Sequence, residues 1–401
     1  MSADSPASGG QPPGMSAPLT LLFAVAGGVA VGSLYLAQPL IETIAASLGV
    51  DPTGAAALVT VTQIGYAAGI FLLVPLGDVV DRRRLIPVVL TLSAFSLLGA
   101  ALAPTYGALL AALGAVGLTA VAAQILTPLA SELADPEKRG RTVGTVASGV
   151  LIGILLSRTV SGVVADLWGW RRVYVLVAVL ALPLAVVLAV LIPRLPARRS
   201  IPYVQLLGSV FTAVARHPAA PVTLLITGAN FAVFSLFWTA LTFLLTAEPF
   251  GYSTTQIGLM GLAGLVGAVA GRRAGVMHDR GWSVPATGIA LALLALSLVG
   301  AWAFQTSIVG LIVVVIVLDI AVQGNLILGQ TRMFALSASE RSRLNTAVVV
   351  FNFLGGALGS FLAGPLWSAG GWTAITAGSL AVTLCALCVW AMSRRRLADL
   401  T

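Results

Sequence analysis

The sequence predicts an all-α integral membrane protein, twelve transmembrane helices forming two pseudo-symmetric six-helix bundles. Three observations predict it: composition, the placement of positive charge, and an internal duplication. Of the 401 residues, 58% are hydrophobic and 9% charged, against about 25% charged in a soluble domain, and the mean hydropathy is +1.00. A helix needs roughly 20 apolar residues to cross a ~30 Å hydrocarbon layer, and runs of that length recur along nearly the whole chain. The 43 glycines suit helices that pack closely in lipid.

The elements follow in order. Residues 1–17 are small, polar and rich in Pro and Gly; they lack the basic start and cleavage site of a signal peptide and read as a disordered cytoplasmic tail. Splitting the apolar runs at charges and turn residues gives spans at 18–47, 54–77, 85–104, 106–133, 142–166 and 172–193. These six make an N-terminal half, 18–193. A linker, 194–219, contains IPYVQLLGSVFTAVARH, which predicts a short interfacial helix. Spans at 220–247, 253–274, 283–304, 307–334, 345–369 and 372–393 make the C-terminal half, 220–393, and 394–401 form a cytoplasmic tail.

Charge fixes the orientation. With both termini cytoplasmic, 19 of the 22 Lys and Arg residues fall on the inner side. Arg171 and Arg172 fall on the outer side, and Arg158 lies inside span five. Positive charge marks cytoplasmic loops, so an even span count and this orientation support each other. The net charge of +8 is scattered among short loops facing anionic lipid, which removes it as a nucleic-acid signal.

The duplication shows in three places. Gly77-Asp78-Val79-Val80-Asp81-Arg82 after span two and Gly275-Val276-Met277-His278-Asp279-Arg280 after span eight both read G-x-x-x-D-R. Gly153, Ser157, Ser161 and Gly162 of span five match Gly355, Gly359, Ala363 and Gly364 of span eleven. Gly169-Trp170 and Gly371-Trp372 repeat as well. Six spans repeated in the same direction is the arrangement in which substrate sites lie between halves near the midplane.

Over essentially its full length the sequence resembles the major facilitator superfamily. The loop GDVVDRRRL resembles that superfamily's G-x-L-x-D-R-x-G-R-R through Gly77, Asp81 and Arg82, with Val79 in place of Leu and Arg84 at the second Gly. The resemblance implies a gating loop of Gly77, Asp81 and Arg82, with Gly275, Asp279 and Arg280 as its repeat, in which Asp81 holds the start of span eleven when the protein faces outward. The alternative is that these arginines only enforce topology. Span five resembles the antiporter motif G-x-x-x-G-P-x-x-G-G, with Arg158 at the proline place. A bacterial subgroup of proton-coupled drug antiporter-like proteins is similar in Tyr35-x-x-Gln38-Pro39-Leu40, in Gln124 and Pro128, in L-L-x-R-T-x-S-G around Arg158 and in D-x-x-V-Q from Asp319. One departure is Leu113, at the place where such antiporters usually carry an arginine.

Of the 14 acidic residues only Asp319, in span ten, lies deep, and of the basic ones only Arg158. An ionised Asp or Arg at a helix centre costs roughly 2.5–3.5 kcal/mol on insertion scales, so such residues face a cavity or each other. The two fall at depths that differ by roughly 6 Å at 1.5 Å per residue, which predicts an ion pair between the halves. One reading is a fixed clamp. The other is a pair that breaks during transport: burial disfavours a charged carboxylate and a nearby cation favours it, so opening and closing would load and unload a proton. Tyr35, Gln38, Gln124, Asn230, Trp238 and Gln323 are candidates for the substrate cavity, with Tyr66, Phe231 and Phe234 adding an apolar wall; packing between helices is the competing role for each.

Together these features imply a secondary transporter working by alternating access, with proton-coupled efflux of apolar or amphipathic compounds as the main reading. A facilitator or symporter of an anionic or neutral metabolite is the alternative. An integral membrane enzyme is disfavoured: no Ser/His/Asp, HExxH or Cys/His cluster appears, nor a G-x-x-x-x-G-K-[ST] phosphate loop. No cofactor and no metal are expected. The expected partners are a small molecule, protons and the bilayer, with no nucleic acid, for a monomer in the cell membrane.

Overall fold

The computed structural model describes residues 15–193, 202–264 and 281–398. Ten helices among the described residues are long and apolar enough to cross a membrane. One of them, Arg341–Leu397, is spans eleven and twelve joined at the non-helical Gly370 and Gly371. Span eight is described from Thr254 to Gly264, and the rest of it, with Gly275, Asp279 and Arg280, lies outside the described residues. The fold is the all-α, twelve-helix membrane transporter fold that the sequence predicts.

Each entry into the bilayer leaves backbone N–H groups that need acceptors, and the local sequence supplies them. Asp51 accepts from Gly54 N at 2.9 Å ahead of span two, Pro52–Leu72. Thr105 caps span four and Ser307 caps span ten. Ser253 and Gln256 form a reciprocal capping box at the start of span eight.

The duplicated glycines are the points at which each half is pinned to itself. Span one, opening as Ala17–Gly32, crosses span five, Arg139–Trp168, at Gly28 and Gly153. A methyl on Gly153 would collide with the Gly28 carbonyl. Span seven, Ala219–Thr246, crosses span eleven in the same way, with Gly355 against Gly228 and Gly359 against Ala232. Gly169 and Gly371 both take positive φ, 86° and 56°, values that an L side chain resists. Each aims the tryptophan after it inward, where Trp170 donates to Ser47 Oγ at 3.1 Å and Trp372 to the Ala301 carbonyl at 2.8 Å.

Three features differ from the sequence reading. Span one is not one helix: Ser33–Tyr35 and Gln38–Leu40 are short 3-10 turns before the helix resumes at Ile41–Leu48. Span four likewise breaks between Tyr106–Thr119 and Ala122–Leu133. Arg332, counted above as a loop arginine, is 1% exposed inside span ten, Ile308–Leu336, and donates to Ser283 and Thr287 of span nine at 3.1 and 2.8 Å. The linker does contain a helix, Tyr203–Arg216. Arg216 and His217 at its end both bond Glu340, at 2.8 and 3.2 Å. The His217 bond, followed by that from Arg216, holds the Glu340 carboxyl below its usual range.

The close crossings predict substitutions of opposite sign. Gly153→Ala and Gly355→Ala should each lower stability by at least the about 1–3 kcal/mol of ordinary overpacking, because the obstacle is backbone. Gly144→Ala, in the same helix as Gly153 but with open space around it, should be neutral or stabilising by up to about 1 kcal/mol. Thermal unfolding in detergent reads all three, and indistinguishable melting temperatures would refute the crossings.

Candidate functional site

The break in span one builds the site. Where the helix opens, at a Pro39 that has no N–H to donate, hydroxyls from two other spans bond the carbonyls of Leu36 and Gln38. Ser161 of span five donates to Leu36 O at 2.7 Å, and Thr242 of span seven donates to Gln38 O at 3.0 Å. Irregular backbone at membrane depth is tolerated only where protein or water satisfies it. The turn places Tyr35, 8% exposed, and Gln38, 3% exposed, in the middle of the protein.

Arg158 lies beside them, 4% exposed. Its guanidinium carbon is 4.1 Å from the Trp238 ring centroid, 5.2 Å from that of Tyr35 and 5.9 Å from that of Phe234. Asp319, 6% exposed, accepts from the Trp238 indole N–H at 3.3 Å. Two glycines of span eight complete the walls: a methyl on Gly264 would meet Asp319 Oδ2 at 2.6 Å, and one on Gly261 would meet Arg158 Cδ at 3.0 Å.

The predicted Arg158–Asp319 ion pair is therefore corrected. Among the described residues no carboxylate oxygen comes within 4 Å of an Arg158 nitrogen. Trp238 touches both groups, facing Arg158 with its ring and bonding Asp319 through its N–H. Arg158 Nε and Nη2 are buried and find no hydrogen-bond partner among the described residues.

Aromatic side chains lead away from this cage. Phe234 lies 6.3 Å from Trp238, Phe231 stacks on Phe234 at 5.4 Å, Phe353 follows at 5.0 Å, and Tyr66 meets Phe353 at 4.4 Å. Gln124 donates to the Tyr66 hydroxyl at 3.4 Å and lines a cavity of about 740 Å³ between the halves at the arginine-rich end. That cavity is also lined by Arg82, Glu132, Arg139 and Arg343. At the opposite end the halves touch: Gly162 abuts Thr254 and Gly364 abuts Thr53, and on the way in from that end Thr60 and Ser360 share a hydrogen bond of 2.9 Å.

The other predicted residues divide. Asn230 donates to Val322 O at 3.2 Å and accepts from Asn325 at 3.5 Å, so it ties span seven to span ten. Gln323 is half-buried on span ten. Arg82 donates to Gly77 O, Glu132 and Asp78 at 2.8, 2.9 and 3.2 Å, which locks the loop after span two to span four. Asp81 accepts from Arg83 N at 2.9 Å and caps span three, Arg82–Leu102, rather than span eleven in this conformation. Phe353, Gly261 and Gly264 were missed by sequence reasoning. Neither Phe353, one aromatic in an apolar run, nor the glycines carried a local signal.

A family model described as Major Facilitator Superfamily matches residues 23–330. The chain belongs to the major facilitator superfamily. It is 42% identical over 376 residues to "Uncharacterized transporter YgaY" of Escherichia coli O157:H7, covering 94% of this chain and 95% of that relative. It is 34% identical over 372 residues to "Probable transporter SCO4007" of Streptomyces coelicolor, covering 92% and 86%. Its fold is similar to the inward-facing, occupied crystal structure of a bacterial homolog of the human lysosomal transporter Spinster, with a TM-score of 0.81, 14% identity, and 96% and 98% of the two chains covered. The family acts in transport rather than in enzymatic conversion, and this chain is a multi-pass membrane protein and a secondary transporter of the alternating-access fold.

The indole generates a test. Trp238→Phe keeps a ring against Arg158 and removes a hydrogen-bond donor to Asp319, at a cost of about 1–3 kcal/mol. Asp319→Ala removes the acceptor. In a double-mutant cycle read by thermal unfolding the double variant should cost clearly less than the two singles added, and strict additivity would sink the contact.

Proposed function

We propose that this transporter moves a small organic anion or a metabolite of similar size, with Arg158 as the group that receives it and Asp319 as the group that couples transport to protons. The observation that carries this reading is the state of Arg158. It is a buried cation with two nitrogens that find no acceptor among the described residues, while the neighbouring carboxylate accepts from Trp238. A buried charge without a paired acceptor is costly, and removing the compensation of such a charge typically costs several kcal/mol. A site arranged this way favours a ligand that brings a carboxylate or other anionic head to the guanidinium and an apolar body to Phe234, Trp238 and Tyr35.

The arginine-rich end faces the cytoplasm under the charge rule, which puts both termini there and opens the 740 Å³ cavity to the cytoplasm. On this reading the conformation is inward-open, the protein works as a monomer in the cell membrane, and residues 18–193 and 220–393 are the two halves that rock. The substrate enters by Gln124 and Tyr66 and follows the aromatic side chains to Arg158. The loop of Gly77, Asp81 and Arg82, with its repeat at Gly275, Asp279 and Arg280, gates the cytoplasmic side. Symport of an anion with a proton needs one site for each, and Arg158 and Asp319 supply them.

A second reading, proton-driven efflux of apolar or amphipathic compounds by a drug antiporter-like protein, draws on the row Trp238, Phe234, Phe231, Phe353 and Tyr66. Transport by the purified protein in proteoliposomes, against a mixed panel of organic acids, neutral metabolites and apolar cations, separates the two. Arg158→Gln should lower kcat/KM for the anion by about a hundredfold, the equivalent of about 2.7 kcal/mol. Asp319→Asn should abolish accumulation driven by a pH gradient. Undiminished anion transport by Arg158→Gln, or a panel in which only apolar cations move, would overturn the anion reading; gradient-driven accumulation by Asp319→Asn would overturn the coupling.

A further inference from the structure

Span five ends on a carboxylate that the reading above does not use. Asp166 accepts from the Thr255 N–H at 2.8 Å through Oδ2 and from the Thr254 hydroxyl through Oδ1. Thr254 and Thr255 open span eight, in the other half. The single hydrogen of that hydroxyl is shared between Asp166 and the Gly162 carbonyl, 3.0 Å away, and Thr159 donates to the Gly258 carbonyl at 3.2 Å. A methyl on Gly162 would collide with Thr254 O, and one on Gly258 would meet Arg158 O at 2.5 Å. The two backbones are thus in contact along two turns.

The pseudo-symmetric partner of this contact lacks the charge. Gly364 abuts Thr53 at the start of span two as Gly162 abuts Thr254. At the 202-residue offset relating Gly162 to Gly364, Asp166 corresponds to Ser368. Span two instead has a carboxylate of its own, Asp51 bonding Gly54 N, where span eight has the neutral Ser253. Thr60 with Ser360, and Gln63 with Ser235 at 2.6 Å, also bridge the halves, but both are neutral pairs. Among the described residues at this end, Asp166 is the ionisable side chain that hydrogen-bonds across the halves.

We infer that Asp166 is the positioning residue that holds the end opposite the arginines closed, and that its bonds to Thr254 and Thr255 must break for that end to open. The tie is strong enough to bias the equilibrium and weak enough to release. Its acceptor is charged, which raises the worth of each bond, and it is exposed, which lowers that worth. Arg158, Gly162 and Asp166 follow each other at intervals of four on one helix face. Opening at Asp166 therefore pulls the same face that carries Arg158 away from Gly258 and Gly261.

Side-specific thiol labelling tests this without knowledge of the substrate. In a background with Cys385 and Cys388 replaced by Ala, Ser360→Cys reports opening at the Asp166 end and Thr346→Cys, in the cavity wall, reports the arginine-rich end. Asp166→Asn should raise the labelling rate of Ser360→Cys by roughly three- to tenfold, the size of a partly solvated bond to a charged acceptor, and should lower that of Thr346→Cys. Asp166→Glu should restore the parent pattern. Thr254→Val, which removes the hydroxyl donor, should act in the same direction as Asp166→Asn. Unchanged labelling at both reporters would overturn the inference. So would a rise at both, which marks general loosening. Neither outcome depends on whether an anion is the substrate.

Discussion

Two hydroxyl groups hold the centre of this protein open. Span one breaks between Ser33 and Leu40, at a depth where lipid offers no hydrogen bond. The Ser161 and Thr242 hydroxyls bond the Leu36 and Gln38 carbonyls there at 2.7 and 3.0 Å. Each comes from a different span, and Thr242 comes from the other half. One break in a helix thereby fixes three spans relative to each other and turns Tyr35 toward Arg158. An unbroken helix would bury those carbonyls in its own ladder and leave the middle of the bundle to apolar packing.

The two halves repeat one packing solution, and chemistry enters where the repeat fails. Gly28 with Gly153 and Gly228 with Gly355 are the same crossing built twice. At the offset that relates these glycines, Arg158 corresponds to Ser360 and Asp166 to Ser368. Ser360 makes a neutral bond with Thr60, whereas Arg158 sits in an aromatic cage. The duplicated scaffold supplies closeness of backbone, which glycine allows at any depth. The charges are what make one half different from the other, and a substrate cavity between equal halves needs such a difference to bind a ligand in one orientation.

The scaffold was legible in the sequence because each of its devices leaves a local trace. Span length shows in hydropathy, the crossings show as spaced glycines, and the turns before Trp170 and Trp372 show as Gly-Trp pairs. The deep charges showed too, since a lone Asp or Arg in an apolar run has no cheap explanation. The break in span one had a trace in Pro39, which has no N–H for the helical ladder, and the apolar run was read straight through it; the break in span four, at Ala120 and Val121, had none. Arg332 misled for the opposite reason. It stands near the end of an apolar run, as a loop arginine does, and its partners Ser283 and Thr287 are small hydroxyl residues that look unremarkable in a span. The indole that touches both charges was invisible because depth along two helices predicts which charges can meet and not which side chain packs against them.

Magnitudes explain why the missing ion pair matters. A guanidinium facing aromatic rings gains about 0.5–2 kcal/mol per good contact, and Arg158 has Trp238 at 4.1 Å with Tyr35 and Phe234 farther off. Taking the same cation out of water costs several kcal/mol after relaxation. The aromatic contacts offset part of that cost and leave the rest standing. Had Asp319 met Arg158 directly, with two short bonds between planar groups, the cost would be nearly repaid and the pair would resist both opening and any incoming ligand. Instead the carboxylate is bonded by the neutral Trp238 donor and the guanidinium is only partly compensated. On the proposed reading, an anion at the guanidinium and a proton on the carboxylate would each relieve that imbalance.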